Sequence, residues 1–122
     1  MNAYDTKAGV AQKETFSSDN SKKLWEILVP VADNNGKLFK KKYHRQWDTK
    51  VVAIANGLTI LSPNKGSWIS STGKLFREKM IPVRVACTKR QLENILGITA
   101  DHYSQQAVMA YKISDEVLIW EK

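Results

Sequence analysis

The hydrophobic period of this chain changes twice from two to about 3.6 and back, and that alternation constrains its fold more than any other feature. LWEILVPV (24–31) alternates, with Trp25, Ile27 and Val29 on one side and Leu24, Glu26 and Leu28 on the other. That is a strand ending near Pro30, since proline donates no ladder hydrogen bond. DNNG (33–36) is a turn. From Tyr43 to Ala55, Trp47, Val51, Ile54 and Ala55 form one helical stripe, which Asn56-Gly57 ends. GLTIL (57–61) and GSWIS (66–70) are short β-rich runs interrupted by SPNKG. After the STGK turn (71–74), LFREKMIPVRVACT (75–88) predicts a longer strand with Ile81, Val83, Val85 and Cys87 on one face. Pro82 within it implies a bulge or a locally unpaired edge.

Thr88-Lys89-Arg90-Gln91 has the form of a capping box. The helix it opens carries Leu92, Ile95, Leu96, Thr99 and Tyr103 on one face. A strand over Ala107–Ile113 follows, then a turn at Ser114-Asp115 and a last short strand over Val117–Trp120. Two strand-helix-strand units joined in this order predict an α+β, ferredoxin-like (split βαβ) sandwich. Its antiparallel sheet is covered on one face by two helices, and a C-terminal strand is added. The other face would present Leu24, Leu28, Met80, Arg84 and Trp120, a set too apolar for water. A homodimer, paired by sheet face or sheet edge, is the expected remedy.

The length of 122 residues sets the domain organisation: a polar, flexible tail over residues 1–22, then one α+β domain over 23–122. The tail's alternative is an arm that orders on a partner. No run of about 20 apolar residues exists to span a membrane, and the N-terminal stretch lacks the apolar segment of a secretory signal. A single cysteine makes no internal disulfide. The expected location is the cytoplasm.

The net charge of +7 is unevenly spread. Residues 37–50 carry +5, from Lys37, Lys40, Lys41, Lys42, Arg45 and Lys50 against Asp48. Residues 65–90 carry +6, from Lys65, Lys74, Arg77, Lys79, Arg84, Lys89 and Arg90 against Glu78. The last third is acidic. Basic patches concentrate anions such as phosphate or nucleic acid. They also occur simply as solvated surface.

The groups that could do chemistry are few. His44 and Asp48 lie four residues apart on a helix, but further metal ligands are not marked, and no metal or cofactor is expected. Cys87 precedes a helix N-terminus, where a thiol can be activated, yet it shares a face with Val83 and Val85 and reads as core. Glu78, between Arg77 and Lys79, reads as their ion partner. There is neither a Walker A loop nor G-x-G-x-x-G. Lys65 and Lys74, beside Trp68, are suited to gripping a phosphate and stacking a base; equally they fit a hairpin with exposed lysines and a core Trp. KKKYHRQWDTK (40–50) is suited to backbone phosphates, or is a loop and first helical turn whose Trp47 is core. The RNA recognition motif, which shares the split βαβ fold, needs stacking aromatics on its third strand; residues 79–85 have none.

Gly57, Leu58 and Thr59, then Gly66 and Trp68, then Gly73 and Glu78 form a G-L-T…G-x-W…G…E pattern. With the helix around Trp47 and Val51 and the Gln106-Ala107-Val108 run, this resembles a family of small uncharacterised bacterial and phage proteins. The resemblance implies a ferredoxin-like fold and brings no activity with it. Thr59, Trp68 and Glu78 are the residues it singles out, as the mouth of a small pocket.

The function expected is a non-enzymatic binding module engaging nucleic acid, a nucleotide or an acidic protein. Its anion-binding residues would be Lys40, Lys41, Lys42, His44, Arg45, Lys65, Trp68, Lys74 and Arg84. A phage or mobile-element accessory role, including interference with a host system, fits the size and charge. The alternative is a small dimeric α+β enzyme with a pocket between sheet and helices built on His44, Trp68 and Glu78.

Overall fold

The structure, a computed structural model, describes residues 21–122. The tail expected over residues 1–22 therefore lies, up to residue 20, outside the described residues. The elements are β1 (Lys23–Pro30), α1 (Lys41–Ala55), β2 (Thr59–Ile60), β3 (Asn64–Ile69), β4 (Leu75–Cys87), α2 (Lys89–Tyr103) and β5 (Ala110–Ser114). The sheet is antiparallel, with strand order β2-β4-β1-β5, and β3 also pairs with β4. Two helices cover one face, as the periodicities predict.

The strand alternation selects the core. Ile27 and Val29 of β1 and Val83, Val85 and Cys87 of β4 are buried under the helices. Trp47, Val51 and Ala55 of α1 and Leu92, Ile95 and Tyr103 of α2 meet them. Trp47 and Thr99 are fully enclosed and paired, Trp47 Nε1 donating to Thr99 Oγ1 at 2.9 Å. The capping box forms: Gln91 N donates to Thr88 Oγ1, and Thr88 N donates to Gln91 Oε1. At the end of α1 the left-handed residue is Asn56, with φ 69°, rather than Gly57. Asn reaches that region because its short polar side chain can bond locally.

Pro82 sits inside β4 opposite the place where the outer strand breaks. Ile60 pairs with Val83 and Asn64 with Met80, so three residues, 61–63, face only Ile81 and Pro82. Leu61 N donates to the Pro82 carbonyl at 2.9 Å, which tethers the break. The irregularity expected at Pro82 is thus carried by the partner strand.

β1 ends at Pro30, opposite Met80, whereas β4 begins at Leu75. Residues 64–69 and 75–79 therefore run beyond β1 as a two-stranded arm, closed by a turn with Gly73 at φ 87°. The strand expected over Val117–Trp120 has no ladder partner within the described residues. The Ser114 hydroxyl bonds the backbone N and O of Glu116, and the segment leaves β5 without folding back onto it. The open sheet face is more polar than its sequence implies. Buried Glu26 takes Arg84 Nε at 2.9 Å and the Tyr111 hydroxyl.

Candidate functional site

The arm is built by alternation. In its register Gly66 opposes Glu78 and Trp68 opposes Phe76. Side chains of directly opposed residues lie on one face of an antiparallel pair, so Trp68, Phe76 and Glu78 share a face. Trp68 and Phe76 stack with ring centroids 4.8 Å apart, and Lys74 Nζ lies 5.0 Å from the Phe76 ring centre. Trp68 Nε1 donates to Glu78 Oε2 at 2.9 Å. Arg77 and Lys79 alternate onto the other face, so Glu78 is held by the indole instead of by its basic neighbours. Gly66, opposite Glu78, adds no side chain and leaves the carboxylate reachable.

A cleft of about 550 Å³ opens where the arm leaves the sheet. Trp68 and Glu78 form one wall, Leu28 and Met80 continue it, and Leu96 with the 105–110 segment closes the other side. Its lining is largely apolar, with Glu78 its single charged group. Small-molecule sites combine an apolar body with a few placed polar groups in this way.

The other residues singled out from the sequence lie elsewhere. Thr59 is on β2, paired with Arg84, outside the cleft walls. Arg84 is engaged by Glu26. His44 is half-buried in a cluster between α1 and α2, its Nδ1 2.7 Å from the Tyr103 hydroxyl. Burial holds its pKa below the usual histidine range, and nearby His102 adds to this. Asp48, on the next turn, is raised by burial. In the same cluster the Tyr43 hydroxyl donates to the His102 carbonyl, and Lys50 Nζ lies 3.2 Å from His102 Nδ1. The structure therefore unites Trp68 and Glu78 and separates both from His44.

Lys40, Lys41, Lys42 and Arg45 are exposed at the start of α1, and Lys65 and Lys74 are exposed on the arm. Val31 N donates to the Lys79 carbonyl and Phe39 N to the Val31 carbonyl, so the loop entering α1 runs beside the root of the arm. The start of α1 and the arm, with Lys65 and Lys74, thus lie at one end of the fold, while Lys89 and Arg90 open α2 beyond Cys87 at the other end of β4. A second cavity of about 440 Å³, walled by Lys37, Lys40, Lys42, Tyr43 and Asp33, lies at the first of these ends.

Cys87 is buried, and burial pushes its thiol up to about 11. Among the described residues no group of three His, Cys, Asp or Glu is placed to hold a metal ion, and no helix is long and apolar enough to cross a membrane. Sequence reasoning missed the role of Leu96 and of the 105–110 segment. The helical period puts Leu96 on the core face, and the strand expected over Ala107–Ile113 begins only at Ala110, so residues 107–109 leave the ladder and line the cleft instead.

No protein-family model matches this chain, and no curated protein sequence matches it. Solved structures do match in fold. The divalent cation tolerance protein CutA1 from Thermus thermophilus superposes with a TM-score of 0.56 at 12% identity, over 83% of this chain and 86% of that one. The periplasmic divalent cation tolerance protein CutA from Archaeoglobus fulgidus superposes with a TM-score of 0.58 at 12% identity, over 80% and 87%. A phage SAM lyase in complex with S-methyl-5'-thioadenosine superposes with a TM-score of 0.54 at 10% identity, over 85% and 96%. At these identities the likeness is one of fold.

Proposed function

We propose that the cleft beside the arm binds a small adenosine-bearing thioether or sulfonium, of the S-adenosylmethionine class, and that the protein is an enzyme acting on that class. The observation that carries this reading is the Trp68–Glu78 pair in the wall of an otherwise apolar cleft. An indole face stacks a purine, a contact worth about 1–3 kcal/mol. The free valences of the Glu78 carboxylate accept from ribose hydroxyls or an exocyclic amine, or face a sulfonium charge. Met80, Met109 and Leu96 suit the thioether and its methyl group, since thioether and aliphatic surfaces pack well together. Support comes from the fold shared with a phage SAM lyase that holds S-methyl-5'-thioadenosine. The CutA1 likeness favours no metal reading here, because the described residues offer no ligand cluster.

Isothermal titration with S-methyl-5'-thioadenosine and with S-adenosylmethionine tests the reading. Saturable binding that Glu78→Gln weakens supports it, and release of S-methyl-5'-thioadenosine from S-adenosylmethionine supports the lyase form. Absence of binding at about millimolar ligand overturns it.

A second reading, an anionic partner on the basic end, is favoured by the exposed Lys40, Lys41, Lys42 and Arg45 of α1 lying at the same end as Lys65 and Lys74 of the arm. Retention on a short DNA or RNA, falling steeply with salt and lost when Lys40, Lys41 and Lys42 become Glu, would support it. Salt-independent or absent binding would overturn it.

A further inference from the structure

We infer that residues 115–122 of a second copy of this chain dock as an added strand along the free edge of the arm. Two incomplete elements motivate this. β4 has a partner on its β1 side only from Lys79 onward, where Val31 N reaches the Lys79 carbonyl, so among the described residues that edge of residues 75–78 presents unpaired backbone groups. Such an edge is a ready template for another strand. The segment after β5 is the complementary piece: its Val117–Trp120 stretch reads as a strand, pairs with no described strand of its own chain, and exposes Leu118 and Trp120 to 83%. Leu75 and Trp68 on the arm are also half exposed.

The occupant is chosen by charge and alternation together. The arm, residues 64–79, has Lys65, Lys74, Arg77 and Lys79 against Glu78, a net +3. Residues 115–122 have Asp115, Glu116 and Glu121 against Lys122, a net −2. As a strand, this segment places Val117, Ile119 and Glu121 on one face and Leu118 and Trp120 on the other. On β4, Leu75, Arg77 and Lys79 share one face and Phe76 and Glu78 the other. One register choice sets Glu121 on the side of Arg77 and Lys79, and Leu118 and Trp120 on the side of Phe76. Like charges would not meet directly across that pair, and both apolar sets would leave water. The added strand would also run past the Glu78 wall of the cleft; this last consequence rests on the cleft being the ligand site.

The test is the mass of the full chain in solution without ligand. At about 100 μM the wild type is expected at an integer multiple, two or more, of 13.8 kDa. Leu118→Asp with Trp120→Asp should return it to one copy with an unchanged circular-dichroism spectrum. Because both residues are exposed in the single chain, the fold should tolerate this change. Arg77→Glu with Lys79→Glu should also dissociate it, and mixing that variant with Glu121→Lys, the acid that alternation places on their side, should restore a mixed assembly. A wild type that stays at one copy overturns the inference, as does an oligomer that neither set of substitutions disturbs. Titration with S-methyl-5'-thioadenosine separates this from the functional reading. Wild-type binding lost at least about tenfold in the single-copy variant links the two. A wild-type oligomer that binds no ligand leaves the interface standing and removes the ligand reading.

Discussion

Trp68 and Glu78, ten residues apart in sequence, are joined across the β3–β4 arm by an indole N–H that donates to the carboxylate at 2.9 Å. The bond holds the ring and the acid in one wall of the cleft, so each can be removed separately. Trp68→Phe keeps a stacking face and frees the carboxylate, whereas Glu78→Gln keeps the shape and removes the charge. For S-methyl-5'-thioadenosine, Glu78→Gln should weaken binding about tenfold, or about 1.4 kcal/mol, in calorimetric titration. Trp68→Ala should lose more, because stacking goes with the hydrogen bond. Both residues are on the exposed arm, so thermal unfolding should shift little.

Inside the core the sensitive hydroxyl is Thr99. It accepts from Trp47 Nε1 and donates to the Ile95 carbonyl at 2.6 Å, with no exposure to water. Thr99→Val keeps the volume and leaves the indole N–H without a partner. The expected cost is about 2 kcal/mol, read as a lower urea midpoint with unchanged slope. Thr99→Ser should recover most of it. Equal loss in both variants would assign the effect to packing.

Glu26 makes the fold sensitive to acid. The Tyr111 hydroxyl is the main cause that holds its carboxyl below the ordinary value of 4.5; burial opposes this, and Arg84 adds to the lowering. A lowered native pKa means that the unfolded chain binds the proton first. The stabilisation is therefore present above about 4.5 and is lost as pH falls through the native pKa. Urea unfolding followed from neutral pH downward should show this loss, and Glu26→Gln should flatten it. Tyr111→Phe should move the Glu26 titration upward in a carboxyl-resolved NMR titration.

Cys87 sets the opposite limit. Burial raises its thiol from 9.0 to about 11, so the native chain keeps a proton that the unfolded chain gives up. This contribution is complete below about pH 9 and disappears as pH rises toward about 11. A thiol reagent at about pH 8 should label the folded protein far more slowly than the urea-unfolded one. Equal rates would place the thiol at the surface.

Local periodicity determined much of this protein. The alternation of Ile27 and Val29, and of Val83, Val85 and Cys87, marks the buried sheet face, because one face of a strand must meet the helices. Trp47, Val51, Leu92 and Ile95 declare the helical faces that cover it. The Thr88–Gln91 cap is legible because its atoms lie within three residues of each other. Glycine and turn residues around 33–36 and 71–74 mark the reversals.

Tertiary structure alone decided what these elements bring together. The sequence places Arg84 among free cations, but only pairing of β1, β4 and β5 sets it against Glu26 and Tyr111. Glu78 stands between two basic residues in the chain, yet pleating turns them to the other face and puts Trp68 beside it. The site at His44 dissolves into a helix–helix cluster for the same reason: its partners, His102 and Tyr103, lie 58 and 59 residues away. Local spacing dictates which face a side chain occupies, while the register between distant strands and the docking of helices dictates its neighbours. Those depend on long-range packing that no short window of residues contains.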